Sequence, residues 1–560
     1  MFFVTERFMI RLRQGTKLLI MALLLLTLRS FANTNPAQPT YVGNGACAKC
    51  HSSIYESFSR HPMALDSGPI ESEPPLRKSF TGSFRNKASS IYYQIYREDN
   101  RTLFGYERSD DPTTHGKQEL NYFVGSGRVG RSYLYSLEGY LYQAPVSYYT
   151  QQDRWDMSPG YESDPELPIR PIEKSCLFCH AGEVQHLTGT LNRYASPAFS
   201  QNGVGCERCH GPGSEHIKGL AKMVNPAKLD PDQRDSICAQ CHLLSEVRIL
   251  KAGKDLYQFR PGELLSDYAS HFVFANSRDQ GLRTISHVEE IAQSTCKRQS
   301  GNRMSCISCH DPHYFPPADV RVSYFRQKCL TCHQVQATAW QKQHFSHELD
   351  CIGCHMQKSS RGDVGHAAVT DHRISRRPLK QTIKPGPGES LIGFGSKEVE
   401  SPRELGLAYA ELALRTNDSR HKSEAFRLLN EVAPKYPNDT EVLVRLAYLY
   451  QERGELEPAR RLYEAALSEN PYQSVAAVNL GAIYARENQI ERAIKLWVRA
   501  LDYDPSSRPA GINLAEVLCS KGDQQQARII LQKLLRINPD LRVAKQLLRD
   551  MDGAKSPCRA

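Results

Sequence analysis

One short pattern dominates this sequence: two cysteines three positions apart, with a histidine directly after the second. The pattern occurs seven times and uses fourteen of the seventeen cysteines. Cysteines at this spacing also occur in zinc sites and redox disulfides, but neither needs a histidine at that fixed position. A histidine there can bind the iron of a porphyrin whose vinyl groups are bonded to both cysteines, so the pattern indicates covalently attached c-type haem.

Each copy of the pattern predicts two thioether bonds and one axial bond to iron. The cysteines predicted to form thioethers are Cys47, Cys50, Cys176, Cys179, Cys206, Cys209, Cys238, Cys241, Cys306, Cys309, Cys329, Cys332, Cys351 and Cys354. The histidines predicted as proximal iron ligands are His51, His180, His210, His242, His310, His333 and His355. The chain is therefore predicted to carry seven haem c groups.

The N-terminus predicts export. Basic residues between Arg7 and Lys17 precede the apolar run LLIMALLLLTL, and the small residues SFA follow it. This order is typical of a secretory signal peptide, here residues 1–32. An uncleaved anchor is the alternative, but the run is shorter than the about 20 residues that a membrane span needs. No cysteine follows for lipid attachment, so we expect a periplasmic protein with no stable membrane anchor.

The net charge of +10 does not indicate a nucleic-acid partner. Removal of the signal peptide takes away five basic residues and one acidic residue, and haem propionates offset most of the remaining positive charge. Hydrophobic residues make up only 40% of the chain, and the mean hydropathy is −0.51. We therefore expect porphyrin to fill much of the interior of the haem-binding region, wrapped by short helices and loops.

The expected fold class is mainly α, with three parts. Residues 33–380 form the predicted heptahaem region. Within it, residues 79–161 contain no cysteine and alternate aromatic and β-branched residues, as in SIYYQIYRED, which predicts a small β-rich insert. A linker rich in proline and glycine is predicted at 381–401.

Residues 402–553 contain an internal repeat. Pro437, Pro471, Pro505 and Pro539 are spaced 34 residues apart, and alanines recur at the same interval. This is the period of tetratricopeptide repeats, in which pairs of helices stack into a solenoid. Such solenoids usually bind a protein or peptide in their groove; the alternative is that the repeats only extend the fold.

Each iron also needs a second axial ligand or keeps an open position for a substrate. Twelve histidines lie outside the motifs, and all but His421 precede the repeats. The predicted distal ligands are His61, His115, His216, His287, His313, His366 and His372. His344 and His347 are reserves. The competing methionine ligands are Met63, Met304 and Met356.

Three cysteines lie outside the motifs. Cys296 precedes the fifth motif and is interpreted either as a buried thiol without chemistry or as a thiolate close to a haem. Cys519 is expected in the core of a repeat helix, and Cys558 in the C-terminal tail.

The segments CERCHGPGSEH, SCISCHDPH and DCIGCHM resemble exported bacterial multihaem c-type cytochromes with the cytochrome c-552/c-554 type domain, in the subgroup fused to tetratricopeptide repeats. The resemblance implies mostly bis-histidine haems in stacked and perpendicular pairs, with His216 and His313 as distal ligands. The chain lacks the CxxCK motif of the nitrite reductases in this superfamily. It also does not match the substrate-contacting residues of the hydroxylamine oxidoreductases.

The leading hypothesis is an electron carrier that passes electrons along its haems between redox partner proteins, with the repeats docking a partner. Two alternatives remain. One is an oxidoreductase that acts on a small nitrogen or sulfur species at one five-coordinate haem, which leaves the question of enzymatic activity open. The other is an assembly scaffold whose haems are structural or sensory.

Overall fold

The computed structural model describes residues 39–74, 80–167, 169–275, 286–343, 350–358, 370–376, 390–395 and 401–553. The chain separates into two compact units, Met1–Val42 with Pro212–Met223, and Gly43–Gly211 with Val224–Ala560. In the smaller unit, the backbone amide of Thr40 donates to the hydroxyl of Ser214 at 2.9 Å. The predicted signal peptide lies outside the described residues. Within those residues, no helix is long and apolar enough to cross a membrane.

The helices that precede the repeats are mostly short. They are α1 (Asn44–Ala48), α2 (Ser52–Phe58), α3 (Lys174–Leu177), α4 (Glu207–His210), α5 (Ser214–Ile217), α6 (Pro231–His242), α7 (His287–Gln293), α8 (Thr295–Ser300), α9 (Arg321–Gln343) and α10 (Cys351–His355). Helix α7 begins with a capping box, because the hydroxyl of Ser286 and the carboxylate of Glu289 each bond the other residue's backbone. Helix α9 is kinked at the motif histidine His333.

Four antiparallel sheets accompany these helices. Their strands are β1 (Ser67–Pro69), β2 (Gly82–Arg85), β3 (Ile91–Glu98), β4 (Arg101–Arg108), β5 (Asp111–Glu119), β6 (Tyr122–Val124), β7 (Gly130–Leu137), β8 (Tyr140–Tyr149), β9 (Arg154–Met157), β10 (Arg170–Pro171), β11 (Glu183–His186), β12 (Tyr194–Gln201), β13 (Val247–Leu250), β14 (Ala269–Phe274) and β15 (Leu391–Gly393). Strands β2 to β5 form a meander, and the largest sheet has the order β1-β6-β7-β8-β10, with β9 paired to β8.

The predicted β-rich insert of 79–161 contains strands β2 to β9. Its alternating aromatic residues form the core between the sheets, where Tyr93, Tyr133 and Tyr142 are fully buried. Strands also occur outside the insert, at β1 and from β10 to β15. Of the residues that the structure describes, 46% are helical and 20% lie in strands, so the predicted class of mainly α is only partly right. Strands β10 to β14 lie between haem motifs, and β15 follows the last one; β10, β11, β13 and β15 have at most four residues, too few for alternation to stand out in the sequence.

The C-terminal region consists of paired antiparallel helices, as the 34-residue period predicts. They are α11 (Pro402–Thr416), α12 (Ser419–Val432), α13 (Thr440–Glu452), α14 (Leu456–Glu469), α15 (Ser474–Arg486), α16 (Ile490–Tyr503), α17 (Arg508–Ser520), α18 (Gln524–Ile537) and α19 (Arg542–Gly553). The repeating alanines Ala459, Ala493 and Ala527 are fully buried, because the helices approach closely there. Cys519 is buried in α17 as expected, whereas Cys558 lies outside the described residues.

The first repeat helices pack directly on the haem-binding region. Phe272 and Phe274 of β14 share one apolar core with Leu407 of α11 and Leu428 of α12. Strand β15, which pairs with β14, lies within the predicted linker, and its Leu391 is buried in the same core. This part of the linker is therefore a strand of a sheet rather than a free loop.

The last repeat helices are held by a second, polar contact. The carboxylate of Asp540 forms an ion pair with Arg108 of β4, and both side chains are at most 3% exposed. Asp540 also accepts a hydrogen bond from the backbone amide of Leu167 at 2.8 Å. Close by, the ammonium of Lys545 contacts Asp111 at 2.8 Å. The repeat region is therefore fixed to the rest of its unit at both ends.

Candidate haem-binding sites

The first, third and fifth motifs each form a helical turn that aligns their ligand atoms. The backbone amide of His51 donates to the carbonyl of Cys47 at 2.9 Å. The same bond joins His210 to Cys206 at 3.1 Å and His310 to Cys306. Residues four apart in a helix lie on one face, so the first cysteine and the histidine of each of these motifs face the same way. Two thiols and one imidazole on a single turn are the donor set that haem c requires.

Motif histidines also lie opposite histidines from distant parts of the chain. An iron bound by two imidazoles, with iron–nitrogen bonds of about 2 Å, separates the ring centres by about 6 Å. The rings of His210 and His313 are 5.8 Å apart and nearly parallel, with an angle of 6° between their planes. Those of His310 and His372 are 6.2 Å apart at 28°. Both spacings fit one iron between two imidazoles.

A third pair, His242 and His287, has ring centres 5.6 Å apart and planes at 78°. His287 also contacts His372 edge to face at 4.6 Å, which is too close for an iron between these two rings. This contact instead brings two imidazole pairs together. Burial lowers the pKa of His287 to about 3, so the ring is neutral, which is the form that binds iron.

Thiols of different motifs also meet. The side chains of four pairs of cysteines lie close enough to influence each other's ionisation: Cys47 and Cys206, Cys179 and Cys241, Cys238 and Cys306, and Cys329 and Cys351. These contacts connect the first motif with the third, the second with the fourth, the fourth with the fifth and the sixth with the seventh. Haems attached at each of these pairs of motifs would therefore be neighbours.

Three of the motif imidazoles are oriented by a hydrogen bond at Nδ1, the ring nitrogen that does not face the iron position. The Nδ1 atom of His210 lies 2.8 Å from the carbonyl of Val224, and that of His355 lies 2.9 Å from the carbonyl of Ser375. Since a carbonyl can only accept, Nδ1 donates and Nε2 remains for the metal. His180 has a different kind of partner: the Nδ1 of His180 lies 2.6 Å from the carboxylate of Asp66. Burial opposes protonation of His180, yet the charge and hydrogen bond of Asp66 raise its pKa.

The structure places the other predicted distal histidines in varied surroundings. His61 is packed between the rings of Phe58 and Phe315 at 5.8 and 5.7 Å, and burial lowers its pKa to about 4. His115 lies exposed on β5, with Nδ1 2.8 Å from the carbonyl of Pro112. In the smaller unit, the Nδ1 of His216 lies 3.1 Å from the carbonyl of Ala221.

His366 and the reserves His344 and His347 lie outside the described residues. The competing methionines Met63 and Met304 have backbone contacts near the first and fifth motifs. The side chain of Cys296 is partly buried in α8, and burial raises the pKa of its thiol.

Two residues that bear on haem binding are not predicted from the sequence. Asp66 lies in the segment ALDSGP, far in sequence from the motif that it contacts, so no local pattern identifies it. His271 of β14 is one of the twelve histidines outside the motifs and is not one of the predicted ligands. It is 6% exposed, and its Nε2 has no hydrogen-bond partner among the described residues. A buried imidazole nitrogen without a partner is costly unless it binds a ligand, so His271 joins the candidate iron ligands.

Known families match three segments of the chain. The family "Cytochrome c554 and c-prime" matches residues 150–211, which include the second and third motifs. Two tetratricopeptide repeat families match residues 441–471 and 484–550. The haem motifs and the helical repeats are thus recognised independently of each other.

Among curated proteins, multiheme cytochrome MtrA of Shewanella baltica is 26% identical over 175 residues, covering 28% of this chain and 52% of that protein. C-type polyheme cytochrome OmcC of Geobacter sulfurreducens is 36% identical over 73 residues, covering 12% of this chain and 9% of OmcC. The chain therefore spans about half the length of the first relative and a small part of the second.

Among solved structures, the outer cell wall cytochrome OcwA aligns with 82% of this chain and 99% of its own, at 15% identity and a TM-score of 0.39. The repeats align with crystal structures of MamA, one of them at 20% identity over 27% of this chain and 87% of that chain, with a TM-score of 0.23. The family and sequence matches indicate covalently bound haem c in the first part of the chain and a helical solenoid in the second. The chain therefore joins a region similar to multihaem c-type cytochromes to C-terminal tetratricopeptide repeats.

Proposed function

We propose that this chain is a periplasmic heptahaem cytochrome that transfers electrons along its haems between redox partner proteins. The contact between the imidazole pairs His242/His287 and His310/His372 carries this proposal. Haems held by these two pairs would be close enough to exchange electrons without a diffusing carrier. Each bound haem supplies a one-electron ferric/ferrous couple.

The chain's own residues hold and orient these groups. The proximal ligands are the seven motif histidines, and the assigned distal partners are His313 for His210, His287 for His242 and His372 for His310. His61, His216, His366 and His271 are the proposed distal ligands of the other four haems, and His115 is left out because it is exposed and bonds to the carbonyl of Pro112. Burial lowers the pKa of His287 to about 3 and that of His310 to about 4, so both imidazoles are in the neutral form that binds iron.

The thiol contacts between motifs support a continuous path. They link the second motif to the fourth and the fourth to the fifth, and the pair His210/His313 joins the third motif to the segment that follows the fifth. The path therefore does not follow the order of the motifs in the sequence.

We assign the haem region to 33–380, the linker to 381–401 and the repeats to 402–553, after a signal peptide at 1–32. The proposed role of the repeats is to dock a protein partner. Exposed apolar side chains on the first helices of two repeat units support this role: Leu414 of α11 is 44% exposed, and Val475 of α15 is 47% exposed. Exposed apolar side chains on a repeat solenoid are typical of protein-binding surfaces.

Low-temperature EPR of the oxidised protein, combined with a haem count by pyridine haemochrome, tests this proposal. We expect seven haems per chain, all low-spin, with spectra that do not change on addition of nitrite, hydroxylamine or cyanide. A high-spin signal that shifts with one of these additives would contradict the carrier and favour the oxidoreductase with an open haem. Fewer than seven haems would contradict the proposed stoichiometry.

A further inference from the structure

The second haem motif has a carboxylate behind its histidine. The Nδ1 of His180 and a carboxylate oxygen of Asp66 are 2.6 Å apart, and both side chains are less than a quarter exposed. The geometry is fixed from both sides, because the hydroxyl of Ser67, next to Asp66, donates to the carbonyl of His180 at 2.8 Å. The backbone amide of Gly125 donates to the carbonyl of Asp66 at 2.7 Å.

This arrangement differs from those of the other motif histidines with a described Nδ1 partner. His210 and His355 face backbone carbonyls at 2.8 and 2.9 Å, which are neutral acceptors. A carboxylate is a charged acceptor, and hydrogen bonds to charged acceptors are shorter and about twice as strong. Asp66 therefore draws the Nδ1 proton of His180 more strongly than a carbonyl would.

A stronger pull on this proton has a direct effect on iron. It places more negative charge on the imidazole and makes its Nε2 a more basic ligand, which stabilises ferric over ferrous iron. Reduction potentials of haems respond to such hydrogen bonds to the axial ligand as well as to burial. The carboxylate thus favours the oxidised state of the haem attached at this motif.

We propose that Asp66 is a positioning residue that lowers the reduction potential of the haem attached at Cys176 and Cys179. This proposal rests on the proposed function, because it assumes that His180 binds haem iron. It gives this haem a place in the electron path: it accepts electrons only from a strongly reducing donor and passes them to the fourth motif, whose Cys241 meets Cys179.

The test is a spectroelectrochemical titration of the purified holoprotein and of the variants Asp66→Asn and Asp66→Glu. The asparagine variant keeps a neutral acceptor at the same place, so we expect one of the haem potentials to shift upward. The glutamate variant restores the carboxylate and is expected to move that potential back toward the wild-type value. Haem counts on each variant show whether all haems are still attached.

Asp311→Asn is the matched control. Its carboxylate lies 4.0 Å from the Nδ1 of His313, beyond hydrogen-bonding distance, so this variant removes a charge near an imidazole without removing such a bond. Equal shifts in Asp66→Asn and Asp311→Asn would overturn the proposal and leave only a general effect of charge. An unchanged titration of Asp66→Asn at full haem count would also overturn it.

EPR of the wild-type protein provides a second test that does not depend on the folding of a variant. We expect one low-spin haem signal with the reduced spread of g values that a more anionic imidazole causes. If every low-spin signal is that of a neutral bis-imidazole haem, Asp66 does not have the proposed effect. A protein with no haem at His180 would instead refute the proposed function, and the haem count separates the two results.

Discussion

The two parts of this chain bury their helices in different ways. In the repeats, α11 alone buries nine residues against neighbouring helices. In the haem region, the motif helices α1 and α10 bury none. A helix of five residues is too short to be stable alone, so it needs another surface to pack on. The comparison indicates that porphyrin would supply this surface to α1 and α10, whereas the repeats and the β-sheets have cores made of side chains.

The largest expected effect follows from removing haem. Chain produced without haem attachment should lose protection of the motif helices α1 and α10, because these bury no side chain of their own, while helices α11 to α19 keep theirs. Hydrogen exchange followed by mass spectrometry measures both regions in one sample. Slow exchange in α1 and α10 of the haem-free chain would contradict the comparison.

The next effect concerns the contact between the two parts. Asp540→Ala leaves Arg108 buried without its partner, so we expect a loss of about 3–5 kcal/mol in the free energy of unfolding of the repeat region. Denaturant unfolding followed by circular dichroism checks this value. Arg536→Ala is the control: its ion pair with Glu138 is exposed, so it should cost less than about 1 kcal/mol. Equal losses would show that the buried pair does not hold the repeats.

A smaller effect is expected inside the repeat core. A Cβ atom at Gly481 would lie 2.5 Å from the indole nitrogen of Trp497, so Gly481→Ala should destabilise the repeats by about 1–3 kcal/mol. At Gly45 of α1, no atom lies within 4 Å of an added Cβ, and Gly45→Ala should leave the unfolding free energy almost unchanged. Thermal unfolding of both variants measures this difference: the midpoint should fall in Gly481→Ala, where packing is tight, and stay the same in Gly45→Ala, where it is open.

The smallest expected effect is a change in the spin state of one haem. His287→Ala should convert one haem from low-spin to high-spin, since its imidazole lies opposite that of His242. His115→Ala should leave the spectrum unchanged, because His115 is exposed on β5 and bonds to Pro112. A high-spin signal in His115→Ala but not in His287→Ala would reverse this assignment of distal ligands.

Structural features that depend on a short motif or on a regular repeat can be predicted from the sequence. The haem motifs span five residues and the repeats recur every 34, so both are visible without a structure. Pairs such as His210 and His313 join distant segments, and only the fold brings them together. Asp66 is missed for the same reason. His115 is predicted as a distal ligand because it lies outside the motifs, but in the structure it is exposed on β5 of the meander.

The most direct test of the central claim is the path of one electron through the haem region. A flash of photoreductant that delivers fewer than one electron per molecule should be followed by redistribution among the haems at a rate that does not depend on protein concentration. Time-resolved absorbance at the haem bands measures this rate. A rate that rises in proportion to protein concentration would mean that electrons move between molecules rather than along one chain, and it would contradict the account.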